Sequence, residues 1–75
     1  MKDRIIEMLE AIHPGIDYET AGSLIDDRIL DSFDVVSLVG DLMDEFDVEI
    51  GADLMVPENF NSVSDIVALI EGLEG

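Results

Sequence analysis

The chain has 75 residues, no cysteine and a formal net charge of −16, because nineteen acidic side chains face three basic ones. A chain this short folds as one domain near the lower size limit for a single core, and its apolar fraction of 48% suffices to fill one. The charge argues against binding to nucleic acids or anionic membranes, and the lack of cysteine excludes disulfides and thiolate metal sites. Such a surface would be attracted to basic patches on protein partners, although acids can also serve solubility alone.

The first predicted element is an amphipathic helix from Lys2 to Ile12. Its apolar residues recur at helical spacing and end before the proline and glycine of "HPG". The amino terminus lacks the apolar stretch of a secretory signal, and no apolar run is long enough to span a membrane, so we expect a cytoplasmic protein. Residues 14–31 form a long connection whose scattered apolar side chains predict a loop packed across the helices, with a short turn near Ala21 to Leu24.

The second helix is predicted from Ser32 or Phe33 to Phe46. The residues of its buried stripe are Val35, Leu38, Val39, Leu42 and Phe46. The residues of its opposite, solvated face are Asp34, Ser37, Asp41, Asp44 and Glu45. Gly40, in the middle, marks either close approach by another backbone or simple tolerance of glycine.

The rest of the chain predicts a short helical turn near Ala52 to Met55 and a last helix that opens at Ser62. Asp65 follows Ser62 at the spacing of a capping box. The apolar residues of this last helix are Val63, Ile66, Val67, Ile70 and Leu73. We therefore predict an all-α fold, a small bundle of three main amphipathic helices plus one short helix, with residues 1–75 as a single domain and a monomer.

Ser32 is the residue on which a functional reading depends, and three roles compete for it. As a structural residue, Asp31 or Ser32 would be the N-cap of the second helix. As a nucleophile, Ser32 would need a base and an oxyanion hole, yet His13 is the sole histidine and the Gly-x-Ser-x-Gly elbow is absent. As an attachment point, its hydroxyl would lie at a helix start, where backbone amides favour phosphate. We therefore predict no catalytic residues and no enzyme activity.

A metal site is not expected either. The acids from Asp47 to Glu58 resemble the spacing of an EF-hand loop, but Ala52 stands where the turn glycine belongs and Pro57 falls inside the loop.

The stretch "DSFDVVSLVGDLMDEFDVEI" resembles the second helix of carrier proteins that bear 4′-phosphopantetheine on the serine of an Asp-Ser-Leu motif. The likeness covers nearly the whole chain: an amphipathic first helix, a long loop, Asp-Ser at the second helix, the Glu45-Phe46-Asp47 run and "NFNSVSDIVALI" as the last helix. The Asp-Ser pair alone is a weak motif, and its combination with these elements makes the resemblance specific.

The resemblance to the acyl carrier protein family implies a shuttle without enzymatic activity. Ser32 would carry the 4′-phosphopantetheine arm, donated from coenzyme A by a phosphopantetheinyl transferase, and acyl or aminoacyl groups would travel as thioesters on its thiol. Basic patches of loading and receiving enzymes would dock near the serine. By likeness of position, the residues implied in docking are Asp31, Asp34, Asp41 and Asp44, with Phe33 and Met55 as apolar contacts. The alternative is an unmodified acidic interaction domain in which Ser32 is only a helix cap.

Some positions differ from the pattern of fatty-acid carriers. Ile29 and Phe33 stand where many of those carriers have glycine and leucine, and Ser37 and Gly40 replace the usual glutamate and methionine. The Ile-Leu-Asp-Ser-Phe sequence is similar instead to D-alanyl carrier proteins and to stand-alone carriers of amino-acid-activating systems. Fatty-acyl, D-alanyl and other cargoes therefore stay open at this point.

Overall fold

The structure, a computed structural model, describes residues 1–74, and all of its regular secondary structure in that range is helical. Its helices are α1 (Lys2–Ile12), α2 (Ser32–Phe46), α3 (Pro57–Phe60) and α4 (Val63–Glu74), with a 3₁₀ turn at Ala52–Leu54. Helix α1 packs against α2 and α4, and the short α3 packs against α4. The prediction of an all-α bundle with three main helices and one short helix is therefore confirmed.

The core is built from the predicted apolar stripes together with anchors from the loops. Its buried side chains are Ile5, Met8, Leu9, Tyr18, Leu24, Leu30, Leu38, Val39, Leu42, Ile50, Phe60, Val63, Ile66 and Ile70. Leu73, which lies on the predicted apolar face of α4, is 37% exposed and is not part of this core. Over residues 1–74, none of the helices combines the length and the apolar character needed to cross a membrane.

Helix α3 is a second short element, beside the predicted one near Ala52 to Met55, and the sequence did not predict it. The 3₁₀ turn at Ala52–Leu54 confirms the predicted turn, and α3 then begins separately with Pro57 in its first turn, where the missing amide is tolerated. The side-chain amide of Asn59 donates a hydrogen bond of 2.8 Å to the Leu54 carbonyl, which joins the two short elements. Phe60 is fully buried and anchors α3 in the core.

The loop before α2 is pinned from across the molecule by Asn61. The turn lies at residues 24–28, later than the predicted position near Ala21 to Leu24. Its place is set by hydrogen bonds to Asn61: Leu24 N donates to the backbone oxygen at 2.8 Å, and Ile25 N and Asp26 N donate to Oδ1 at 3.0 and 3.1 Å. A bond of 2.9 Å from Leu30 N to Leu24 O closes the loop.

Tyr18 fastens the first half of the same connection to the end of α1. The chain turns through Gly15, whose φ of +90° suits glycine, and Tyr18 then returns to the core. Its hydroxyl lies within hydrogen-bonding distance of the carbonyl oxygens of Leu9 and His13. Burial, and then the carboxylates of Glu10 and Asp34, raise the pKa of Tyr18 above its ordinary value.

Candidate functional site

The start of α2 is capped by Asp31 and not by Ser32. The Asp31 Oδ1 atom accepts a hydrogen bond of 2.9 Å from Asp34 N, and Asp34 Oδ2 accepts one of 3.2 Å from Asp31 N, which together form a reciprocal capping box. Asp31 has extended backbone angles, whereas Ser32 is the first helical residue. From the sequence alone, either Asp31 or Ser32 could be the N-cap. The alternative in which Ser32 is the N-cap is wrong. The exposed side chain of Ser32 is left out of the capping bonds.

Ser32 borders an apolar cleft of about 420 Å³. The cleft lies between the start of α2, the 24–30 loop and the segment 55–60, and its lining residues are Ile25, Arg28, Leu30, Asp31, Ser32, Val35, Val36, Met55, Val56, Pro57 and Phe60. Leu30 and Phe60 are buried, whereas Arg28, Asp31 and Ser32 are exposed and mark where the cleft meets solvent. Its volume falls in the range of small-molecule sites, about 300–1,000 Å³.

The residues implied in docking differ in exposure and lie at different places on the surface. Asp34 is half-buried and occupied by the capping box, and Met55 is half-buried in the cleft wall. Asp41 and Asp44 are exposed and border the groove between α1 and α2. Phe33 is 84% exposed, an unusual position for an aromatic side chain beside Ser32.

The outer face of α2, which we define as Phe33, Val36, Ser37, Gly40, Asp41 and Asp44, is exposed along its whole length. Phe33, Ser37, Gly40 and Asp44 follow one line of this face at helical spacing, and Val36, 60% exposed, lies toward the cleft. A Cβ atom added at Gly40 would meet nothing within 4 Å, so no contact within residues 1–74 requires the glycine. The face is therefore apolar beside Ser32, has only small residues, Ser37 and Gly40, in the middle, and is acidic at its far end.

Sequence reasoning missed Val36 and Arg28 as members of this site. Val36 follows Val35, and an apolar pair at consecutive positions does not reveal which of the two faces the core. Arg28 lies in a loop whose path depends on Asn61, far along the chain. No local pattern in the sequence signals either role.

Arg4 forms ion pairs with acidic side chains in the groove between α1 and α2. Its guanidinium lies 3.0 Å from Glu45 Oε1 and 3.5 Å from Glu7 Oε2. The hydrogen bond and charge of Glu45 raise the pKa of Arg4 above its ordinary value, and burial opposes this shift. These pairs are exposed, so they contribute little to stability and leave the groove negatively charged overall.

A comparison with curated proteins decides the family. Over 74 residues, the sequence is 36% identical to an acyl carrier protein from Campylobacter fetus subsp. fetus (strain 82-40), and the match covers 99% of this chain and 91% of that protein. The chain belongs to the acyl carrier protein family. No protein-family model matches the sequence, and no solved structure matches it.

Acyl carrier proteins are carriers and not enzymes, and family membership assigns this chain to that class. Members of the family generally carry 4′-phosphopantetheine. The residues at the start of α2 fit such a group: the Ser32 hydroxyl is exposed, another residue makes the capping bonds, and an apolar cleft opens beside it.

Proposed function

We propose that this protein holds acyl groups as thioesters on a 4′-phosphopantetheine arm attached to Ser32 and passes them from one enzyme to another. The observation that carries the proposal is the exposed hydroxyl of Ser32 at the first position of α2, with the capping bonds made by Asp31. A transferase could therefore act on Ser32 while Asp31 and Asp34 keep the capping bonds. The chain has no cysteine, so the thiol would have to come from the arm.

Attachment would form a bond between Ser32 Oγ and the phosphorus that carries pantetheine in coenzyme A. The pyrophosphate bond of coenzyme A would break, adenosine 3′,5′-bisphosphate would leave, and the hydroxyl proton would pass to a base of the transferase. The partial positive charge of the α2 amino terminus favours an anion at this position. Asp31 and Asp34 hold the backbone there through the capping box.

The cleft beside Ser32 supports an apolar cargo. Buried or half-buried apolar side chains form most of its wall, and each methylene group placed against them would contribute about 0.8 kcal/mol. A D-alanyl group has a charged amine and little apolar surface, so it would gain nothing from this wall. We therefore favour a short or medium acyl chain, although the residues around Ser32 resemble those of D-alanyl carriers.

The outer face of α2 is the proposed docking surface for the loading and receiving enzymes. Its apolar end, Phe33 and Val36, would enter a shallow apolar recess, and Asp41 and Asp44 would meet basic side chains. Phe33 and Asp44 lie about 16 Å apart along the helix axis, which sets the spacing expected on the partner. Charge pairs of this kind speed association more than they add affinity, which suits brief encounters.

Modification in vitro tests the attachment. The purified protein is incubated with coenzyme A and a broad-specificity phosphopantetheinyl transferase, and its intact mass is measured. The wild type should gain one phosphopantetheinyl unit and Ser32→Ala none. Ser37→Ala is the matched control, because Ser37 is an exposed serine on the same helix, and this variant should be modified like the wild type. A wild type that stays unmodified while another carrier is converted would favour the unmodified interaction domain.

The cargo is tested on the modified protein. Loading an octanoyl group should raise the melting temperature more than loading D-alanine, because only the former can fill the cleft. Phe60 and Leu30 amide resonances should shift with the octanoyl cargo alone. Equal melting temperatures and unchanged resonances would place the cargo outside the cleft.

A further inference from the structure

Arg28 has a backbone conformation that glycine would adopt more easily. Its φ is +60°, in the left-handed region that side chains disfavour, yet the residue is an arginine. The loop holds it there: Arg28 N donates to Ile25 O at 3.0 Å, and Leu30 N donates to Leu24 O at 2.9 Å, across the turn. Strained residues of this kind cluster at functional sites, which raises the question of what the side chain does.

The side chain of Arg28 borders the same cleft as Asp31 and Ser32. The other basic residues, Lys2 and Arg4, are on α1, so Arg28 is the one base that borders the cleft. Within residues 1–74, the ion pairs are those of Arg4, and Arg28 has no carboxylate within 4.0 Å. An exposed guanidinium is thus available at the edge of the cleft.

A phosphodiester on Ser32 would place a further negative charge beside Asp31 and Asp34, on a chain whose net charge is already −16. Such a charge would be repelled unless a cation lay near it. Arginine suits this role because its planar guanidinium can donate two parallel hydrogen bonds to phosphate oxygens.

We infer that Arg28 binds the phosphate of the arm on Ser32 and thereby orients the arm along the mouth of the cleft. This inference rests on the proposed attachment at Ser32. Arg28 is a positioning residue here and takes no part in bond making. Arg28 and Ser32 border the same cleft, and the hydrogen bonds of the 24–30 loop hold the backbone of Arg28 in its left-handed conformation.

The test compares melting temperatures before and after modification, at low salt. The variants are Arg28→Gln, which removes the charge, and Arg28→Gly, which also removes the backbone strain. For each protein, the melting temperature before modification is subtracted from that after modification. This difference should be higher in the wild type than in either variant by about 2–4 °C. Unmodified Arg28→Gly should be at least as stable as the unmodified wild type, because glycine accepts the left-handed φ. Arg4→Gln is the control: it loses the exposed pair with Glu45 but should keep the wild-type response to modification.

Nuclear magnetic resonance gives a second readout that does not depend on stability. The Nε–H resonance of Arg28 should move on modification, while that of Arg4 stays in place, and the movement should shrink at about 1 M salt, where the Debye length is about 3 Å. If the wild type is modified but the variants respond like it and Arg28 does not shift, the role of Arg28 is wrong while the attachment stands. If Ser32 accepts no arm at all, both proposals fall.

Discussion

Substitutions at Asp31 and Ser32 separate the two roles that the sequence left open at the start of α2. Asp31→Ala removes the acceptor of the 2.9 Å bond from Asp34 N and leaves the first turn without its cap. The loss of an N-cap costs about 1 kcal/mol, which lowers the melting temperature of a domain this size by about 4–8 °C. Ser32→Ala should change the free energy of unfolding by less than about 0.5 kcal/mol, because an exposed first-turn serine makes no capping bond and alanine is the better helix former.

Asp31→Asn is the matched control, because asparagine retains the side-chain oxygen and removes the charge. It loses the favourable interaction with the helix dipole but relieves repulsion on a strongly acidic surface, so its stability should lie within about 0.5 kcal/mol of the wild type. Urea and thermal unfolding, followed by circular dichroism, measure all three variants. The reasoning is refuted if Ser32→Ala destabilises the protein as much as Asp31→Ala does, since the serine would then be the cap.

Three further predictions address other parts of the molecule. Gly40→Ala should raise the melting temperature by about 3–8 °C, because nothing surrounds the missing Cβ; a decrease would reveal a contact at this position that the structure lacks. Asn61→Ala should cost about 1–3 kcal/mol and speed hydrogen exchange at Ile25 and Asp26, and unchanged protection there would contradict the pinned loop. Burial raises the pKa of Tyr18, so the native state holds its phenolic proton longer than the unfolded chain does. This contribution is complete below the ordinary pKa of 10.0 and is lost as the pH rises from there toward the higher native value. Stability should therefore fall as the pH rises above 10.0, and less steeply in Tyr18→Phe; parallel profiles for the two proteins would count against this role of Tyr18.

The helices and their core faces were predictable because each repeats apolar residues at a period that one local rule describes. Ile5, Met8 and Leu9 on α1 and Leu38 and Leu42 on α2 are buried as expected. The single turn of α3 is too short to show such a period, and its stability comes from burial of Phe60 in the core.

The candidate site was predictable only in part, for a related reason. Ser32 could be singled out from the residues beside it, but Asp31 and Ser32 both have side chains that cap helices, and the choice between them depends on backbone angles. The cleft is formed by segments that are distant in sequence, and the loop that brings Arg28 to it is fixed by Asn61. Such contacts leave no local pattern in the sequence.

Attachment of the arm to Ser32 is the central claim, and peptide-level mass spectrometry of the modified protein tests it most directly. The chain contains five serines, at positions 23, 32, 37, 62 and 64, so a change in intact mass alone does not locate the arm. We predict that fragment ions place the whole phosphopantetheinyl mass on Ser32 and leave the other four serines unchanged. A protein that stays unmodified, or that carries the mass on another residue, would contradict the account.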